Sequence, residues 1–230
     1  LLRIIVKFYQ MSSIEGCIFD LDGVVVDTAK YHYQAWKRLA NELGFEFDES
    51  HNERLKGVSR MRSLEILLEV GGLSFPQEKM EQLAARKNEW YVEYISRMTP
   101  NEILPGSKEL LEELRAKGIK LALGSASKNT PLIMDRIGLK DHFDAIIDGN
   151  IISIAKPAPD IFLAASKAIG VEPPCCIVFE DAEAGVEAAI NAGMRVVGIG
   201  NPQVLKRANL VVPNLKNFTF QYLVNSLSEK

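Results

Sequence analysis

The sequence predicts an α/β protein: a doubly wound, Rossmann-like parallel sheet with an all-helical cap domain inserted after the first strand. Three observations predict it. Short runs rich in β-branched residues recur along the chain, nearly continuous in apolarity, as in strands covered on both faces. Helical patterns separate most of them, which is the alternation of βαβ units. One long stretch, from about Tyr31 to Met98, breaks that rhythm and is strand-poor and rich in helix formers.

In chain order, the first strand is GCIFD (16–20). The cap follows as YHYQAWKRLANELG, RSLEILLEVGG and QEKMEQLAARKNEWYVEYISRM, and its flanks, Asp27–Lys30 and Thr99–Pro105, read as hinges. A helix over Ser107–Lys117 leads to the strand IKLALGS (119–125), and a helix over Thr130–Ile137 leads to DAIID (144–148). A helix over Ile161–Ile169 precedes CIVFED (176–181), and one over Gly185–Ala192 precedes the strands RVVGIG (195–200) and ANLVVP (208–213). The expected division is an extension at 1–13, a core of 14–28 with 100–230, and a cap of 29–99.

Bulk properties narrow the function. At 230 residues, 47% hydrophobic and 25% charged, the chain buries a large core without outside help. A net charge of -3 and a pI near 5.8 provide no broad basic surface for a phosphate backbone, so nucleic acid is not an expected partner. Cys17, Cys175 and Cys176 all lie in apolar runs and read as buried thiols of a reducing compartment, hence a cytoplasmic protein. The opening LLRIIVKFYQ is too short to span a membrane and carries Arg3 and Lys7, so it reads as a non-native or disordered extension. No membrane partner is expected, and the chain reads as a monomer.

In open α/β sheets, ligands bind outside the carboxyl ends of the strands. There the stretch IFDLDGVVVDT (18–28) sets Asp20 and Asp22 one residue apart, and a later strand ends in Glu180 and Asp181. Like charges this close raise each other's cost of ionisation. A magnesium ion, which takes a few carboxylates and keeps water and phosphate oxygens as its other ligands, would hold them together; solvated strand-end acids are the plainer reading. The GSASKN turn offers Ser125, Ser127, Lys128 and Asn129 to an anion at a helix N-terminus, or simply caps that helix. Lys156, in KPAPDIF, adds a cation where phosphate and metal would need one. Gly23 leaves the chain room to turn away from the crowded acids, as a purely structural glycine would.

FDLDGVVVDT, GSASKN, KPAPDIF and FEDAEAGVEAA, in that order with a helical insert after the first, resemble the haloacid dehalogenase superfamily of phosphotransferases over essentially Ile14 to the C-terminus. Within it, DTAKYHYQAWKRLA and LKGVSRMRSLEILL are similar to the β-phosphoglucomutases. The resemblance implies that Asp20 is the nucleophile that becomes an aspartyl phosphate and that Asp22 is the general acid/base. It implies phosphoryl binding by Ser125 and Lys156, with Ser127, Lys128 and Asn129 beside them. It places Mg²⁺ on Asp20, the backbone carbonyl of Asp22, and Asp181, with Glu180 alongside. It further implies a cis Lys156–Pro157 bond. Ala182 departs from the pattern, in which a serine often follows the acidic pair.

An aspartyl phosphate is discharged to water by a phosphatase and to a sugar hydroxyl by a mutase, and the cap decides which. By the same resemblance, His32 lies next to Asp22, and Trp36, Lys56, Gly57, Arg60 and Ser63 line the pocket for the sugar and its distal phosphate. Arg60 suits that phosphate, since a guanidinium matches its geometry. By spacing alone, His32 and Trp36 are four apart on one helix face and could equally be a core pair. Thr28 would couple cap closure to Asp22. The implied activity interconverts β-D-glucose 1-phosphate and glucose 6-phosphate through glucose 1,6-bisphosphate. The alternatives are a sugar-phosphate phosphatase and a non-catalytic phosphosugar-binding module.

Overall fold

A computed structural model describes residues 14–55, 58–152 and 154–228. Six strands make one sheet: β1 (Gly16–Phe19), β2 (Lys120–Gly124), β3 (Ala145–Ile147), β4 (Cys176–Glu180), β5 (Arg195–Ile199) and β6 (Leu210–Val212). Their order is β3-β2-β1-β4-β5-β6, and every neighbouring pair is parallel. The order reverses between β1 and β4, the switch point at which a crevice opens beyond the strands' carboxyl ends.

Inserted between β1 and the crossover helix that leads to β2 are four helices: α1 (Ala29–Glu42), α2 (Glu49–Glu53), α3 (Arg60–Gly71) and α4 (Gln77–Ile95). The crossovers are α5 (Ser107–Ala116), α6 (Thr130–Ile137), α7 (Asp160–Ile169) and α8 (Glu183–Asn191), and α9 (Phe220–Ser228) closes the described chain. Expected and observed elements agree, with α8 beginning two residues before Gly185, where Glu183 favours a helix N-terminus. The helices α2 and α9 were not anticipated. Among the described residues no helix is long and apolar enough to cross a membrane. The expected extension at 1–13 lies outside the described residues.

Both faces of the sheet are covered, which is why the strand runs are continuously apolar. Cys17 and Phe19 of β1, with Ile177 and Phe179 of β4, join the apolar cluster that includes Leu110 of α5 and Leu223 of α9. Ile18 and Val178, one residue out of phase, join Phe162 and Ala165 of α7 and Ala188 of α8 on the other face. The rings of Phe19 and Phe179 stack at 4.5 Å between centroids, and a buried side chain of this size contributes about 1.5–3 kcal/mol. The inserted helices pack about their own interior, α1 and α3 against α4, around Leu39, Leu64, Leu67 and Leu83.

Two linkers join this helical group to the sheet, and they are stitched to each other. Val26 and Ile103 form an antiparallel bridge, Leu104 N–H donates to Val25 carbonyl at 2.9 Å, and the buried Ser107 hydroxyl donates to Val24 carbonyl at 2.7 Å. Glu102 on the returning linker accepts from the Tyr31 hydroxyl at 2.8 Å and from the Lys30 ammonium, both in the first turn of α1.

Candidate active site

Beyond β1 the chain makes one tight loop. Asp20 N–H still donates to Phe179 carbonyl at 2.9 Å, so Asp20 is held as a continuation of the strand. The chain then curls: Val25 and Val26 N–H both reach Leu21 carbonyl, and Gly23 N–H reaches Val26 carbonyl at 2.8 Å. Gly23 sits at φ +78°, and a Cβ there would run into the Asp181 carboxylate. Gly185 has the same duty toward Glu180, whose carboxylate occupies the space of a Cβ at 185. Two glycines thus let two acids lie against backbone.

Lys156 ties the acids together. Its ammonium donates to Asp20 Oδ1 at 2.5 Å and to Glu180 Oε2 at 2.8 Å, and Glu180 Oε1 accepts from Ala182 N–H at 3.1 Å. It leaves a proline-stiffened loop whose Lys156–Pro157 bond is cis. Burial works against its charge, but Asp20 and Glu180 outweigh that and hold the ammonium well above the ordinary lysine range. Carboxylate oxygens of Asp20, Glu180 and Asp181 all lie within 4.8 Å of one another. Burial first, then the neighbouring acids, push both Glu180 and Asp181 above the usual carboxylate range. Three converging hard oxygen donors with one lysine between them carry uncompensated negative charge, and a hard divalent cation such as Mg²⁺ fits that donor set.

Asp22 faces elsewhere. Its Oδ1 accepts a hydrogen bond from the Thr28 hydroxyl. Thr28 is the residue before α1, where a threonine oxygen ordinarily caps the helix, yet it makes no cap hydrogen bond. Burial, then Asp20, pushes Asp22 up to about 7, so near neutral pH this carboxyl is divided between acid and base.

The GSASKN turn lies at the end of β2. Ser125 is 1% exposed and its Oγ accepts from Ser127 N–H at 3.2 Å; Ser127 Oγ accepts in turn from Asn129 N–H at 3.2 Å. Lys128 is exposed beside them. The Asn129 side chain reaches across to the inserted helices, donating to Asn88 Oδ1 on α4 at 3.2 Å.

On the cap side the structure brings His32 and Trp36 to a residue not anticipated, Lys87 of α4. Its ammonium lies 2.9 Å from His32 Nδ1, 4.4 Å from the centre of the Trp36 ring and 4.8 Å from that of Tyr91. Lys87 is only 2% exposed, and burial, then the charge of Arg60, brings it down to about 7 against the opposing pull of Asp22. His32 stacks on Tyr91 at 4.0 Å; burial, then Lys87, holds it well below the ordinary histidine range, so it is neutral. Arg60 opens α3, exposed at the surface, while Ser63 one turn on is buried. Lys56 and Gly57 lie outside the described residues.

Spacing carried a signal for Lys87. Leu83, Lys87 and Tyr91 share one helical row and are all buried, so a lysine stands on the apolar face of α4. No comparable cue marks Asn88, whose partner is 41 residues away.

A family model described as haloacid dehalogenase-like hydrolase matches residues 14–193. A β-phosphoglucomutase of Bacillus subtilis (strain 168) is 43% identical over 212 residues, covering 91% of this chain and 94% of the relative. A phosphorylated carbohydrates phosphatase of Thermotoga maritima is 32% identical over 189 residues, covering 81% and 85%. Among solved structures, a β-phosphoglucomutase from Clostridium difficile superposes with a TM-score of 0.87 at 45% identity, covering 94% of this chain and 97% of that one. The chain belongs to the haloacid dehalogenase-like hydrolases, in the group that includes β-phosphoglucomutases.

Proposed function

We propose that this protein is a β-phosphoglucomutase that interconverts β-D-glucose 1-phosphate and glucose 6-phosphate, acting as a monomer in the cytoplasm. Residues 29–99 serve as a cap that closes on a core of 14–28 and 100–230. The observation that carries the reading is a basic group on the cap, Lys87 with Arg60 nearby, whose charge reaches Asp22 of the core. A phosphatase needs only the core half of the site, whereas a mutase must hold a second phosphate while the first reacts. The 43% identity to the Bacillus subtilis β-phosphoglucomutase supports the same choice.

The chemistry runs through Asp20 and Asp22. With Asp20 phosphorylated, the 6-hydroxyl of glucose 1-phosphate attacks the phosphorus. The O–P bond to Asp20 breaks, and Asp22 takes the hydroxyl proton. The resulting glucose 1,6-bisphosphate turns over within the site. Asp20 then attacks the phosphorus at O1, Asp22 returns its proton to O1, and glucose 6-phosphate leaves with Asp20 again phosphorylated. A group poised at about pH 7 suits both halves of this cycle, and such proton transfer is worth on the order of 10²–10⁴ in rate. Lys156, Ser125 and the Ser127–Asn129 turn bind the transferring phosphoryl group, so the reaction is mostly positioning and charge neutralisation. Arg60, with Ser63, Lys56 and Gly57, takes the distal phosphate and sugar beside Trp36. Mg²⁺, held by Asp20, Asp181 and the Asp22 carbonyl with Glu180 alongside, supplies charge neutralisation at the phosphoryl oxygens when bound. Glucose 1,6-bisphosphate serves as the priming phosphoryl donor.

³¹P NMR tests this with β-glucose 1-phosphate, Mg²⁺ and a trace of glucose 1,6-bisphosphate. Glucose 6-phosphate should accumulate with little inorganic phosphate, and Asp20→Asn should abolish it. Inorganic phosphate as the main product would mean that water discharges Asp20 and that the protein is a phosphatase. A protein that forms neither product and takes up no acid-labile phosphate would be a binding module.

A further inference from the structure

A second loop, 148–152 at the end of β3, lies against the GSASKN turn. Ser125 N–H donates to Ile147 carbonyl at 3.0 Å, so the two loops leave neighbouring strands together. Asp148 is buried and folds the second loop tightly: its Oδ1 accepts from Asn150 N–H at 2.8 Å, and its carbonyl accepts from Ile151 and Ile152 N–H at 3.0 Å. Gly149 N–H donates to Ser127 carbonyl at 3.3 Å, and Asn150 Nδ2 donates to Lys128 carbonyl at 3.0 Å. Gly149 also packs so closely that a Cβ there would run into the Ala126 carbonyl oxygen, a backbone atom.

Three successive carbonyls of the GSASKN turn, those of Ala126, Ser127 and Lys128, thus face one loop. A trans peptide is planar, with its C=O and the following N–H pointing opposite ways, so holding the carbonyls on that side turns the amides to the other. Two of those amides are used within the turn: Ser127 N–H donates to Ser125 Oγ and Asn129 N–H to Ser127 Oγ, each at 3.2 Å. Lys128 N–H lies between them and meets no acceptor among the described residues. The carbonyl of its own peptide, that of Ser127, is held twice, since the Thr130 hydroxyl donates to it as well at 2.8 Å.

We propose that Asn150 is a positioning residue for phosphate binding: its side-chain amide holds the Lys128 carbonyl on the outer side of the turn and, with Gly149, keeps the Lys128 N–H aimed at a phosphate oxygen of the substrate. Asn150 acts through the turn and touches no substrate. Without its donor, the Lys128 carbonyl loses its partner and the peptides on either side of Lys128 are free to rotate. A carbonyl oxygen turned inward would then repel the phosphate that the amide attracts. This inference rests on the mutase reading above.

The test uses the full chain carrying Asp20→Asn, which holds glucose 1,6-bisphosphate and Mg²⁺ without turnover, and adds Asn150→Ala or Asn150→Leu. Leu keeps the branching of the side chain, and neither variant adds a charge. Each should weaken bisphosphate binding, followed by calorimetry, about 10-fold, as the loss of one hydrogen bond to a charged group does. The melting temperature should stay within about 2 °C of the parent, since Asn150 is exposed. ¹H–¹⁵N NMR supplies a signature that a merely structural role would not move. Bisphosphate should shift the Lys128 amide proton downfield in the parent, and by roughly half as much or less in the variants. Dissociation constants within about 2-fold of the parent, or an undiminished Lys128 shift, would overturn the proposal. So would weakened binding that comes with a melting temperature lowered by more than about 5 °C. A parent that binds no bisphosphate would overturn the mutase reading, and this inference would fall with it.

Discussion

Lys87 puts an ammonium where the cap would otherwise place a leucine. It is faced by His32 and Trp36 from α1, Arg60 from α3, Asp22 from the loop after β1 and Tyr91 from its own helix, and it finds no carboxylate within salt-bridge distance among the described residues. Burial, then Arg60, lowers it from 10.5 to about 7, so between those values the unfolded chain binds a proton that the folded protein does not. Stability from this group therefore rises with pH across that window, and its cost is complete below about pH 7. Replacing buried ion pairs with well-packed apolar side chains is neutral or stabilises by up to about 4 kcal/mol, and an unpartnered buried charge has no Coulombic gain to set against its desolvation. Lys87→Met should accordingly melt higher than wild type at pH 6, lose that advantage as the pH climbs toward 10, and turn over glucose 1-phosphate more slowly throughout. Denaturation followed across pH checks this. A variant less stable than wild type at pH 6 would mean that the two rings and His32 fully compensate the buried charge.

Among the elements, the sheet was legible because burial on both faces leaves no polar phase: CIVFE and GCIF read as strands before any packing is known. The convergence of Asp20, Glu180 and Asp181 was legible because a strand's end, once located, fixes where its next residue stands, whereas Asp22 lies past the strand in a loop and turns to Thr28. The helix α9 was not anticipated, and Lys87 was passed over because lysine is so seldom buried that composition argues against it even where helical spacing places it on the apolar face. Contacts between linkers leave still less trace, and the Glu102 clamp is one of them. Lys30 and Glu102 are both partly exposed, and pairs of that kind contribute about 0–1 kcal/mol to folding. A hinge, however, responds to smaller energies than a fold does. Glu102→Gln should leave the melting temperature nearly unchanged while slowing mutase turnover roughly 3-fold, a loss of about 0.7 kcal/mol in barrier terms. Exchanging the pair, with Lys30→Glu and Glu102→Lys together, should restore most of it. A swap that restores nothing would show that the carboxylate does not act through Lys30.

For the molecule as a whole, the site is divided between two bodies of structure: acids, Lys156 and the Ser125 loop on the sheet, Lys87, His32 and Arg60 on the inserted helices. A ligand shifts a conformational balance only by its difference in affinity for the two states. On the proposed function, Mg²⁺ with inorganic phosphate would engage the sheet side alone and gain little from the cap's approach, whereas glucose 1,6-bisphosphate would carry a second phosphate for the cap's basic group and gain from closure on both sides. Small-angle scattering separates these cases, since a compact chain of this length has a radius of gyration of about 17 Å and a rigid-body closure lowers it. The radius should fall with bisphosphate and Mg²⁺ on Asp20→Asn protein, which holds the ligand without turning it over, and should stay unchanged with inorganic phosphate and Mg²⁺. Compaction by inorganic phosphate alone would place the closing force on the sheet side and take from the cap's cations their role in separating a mutase from a phosphatase.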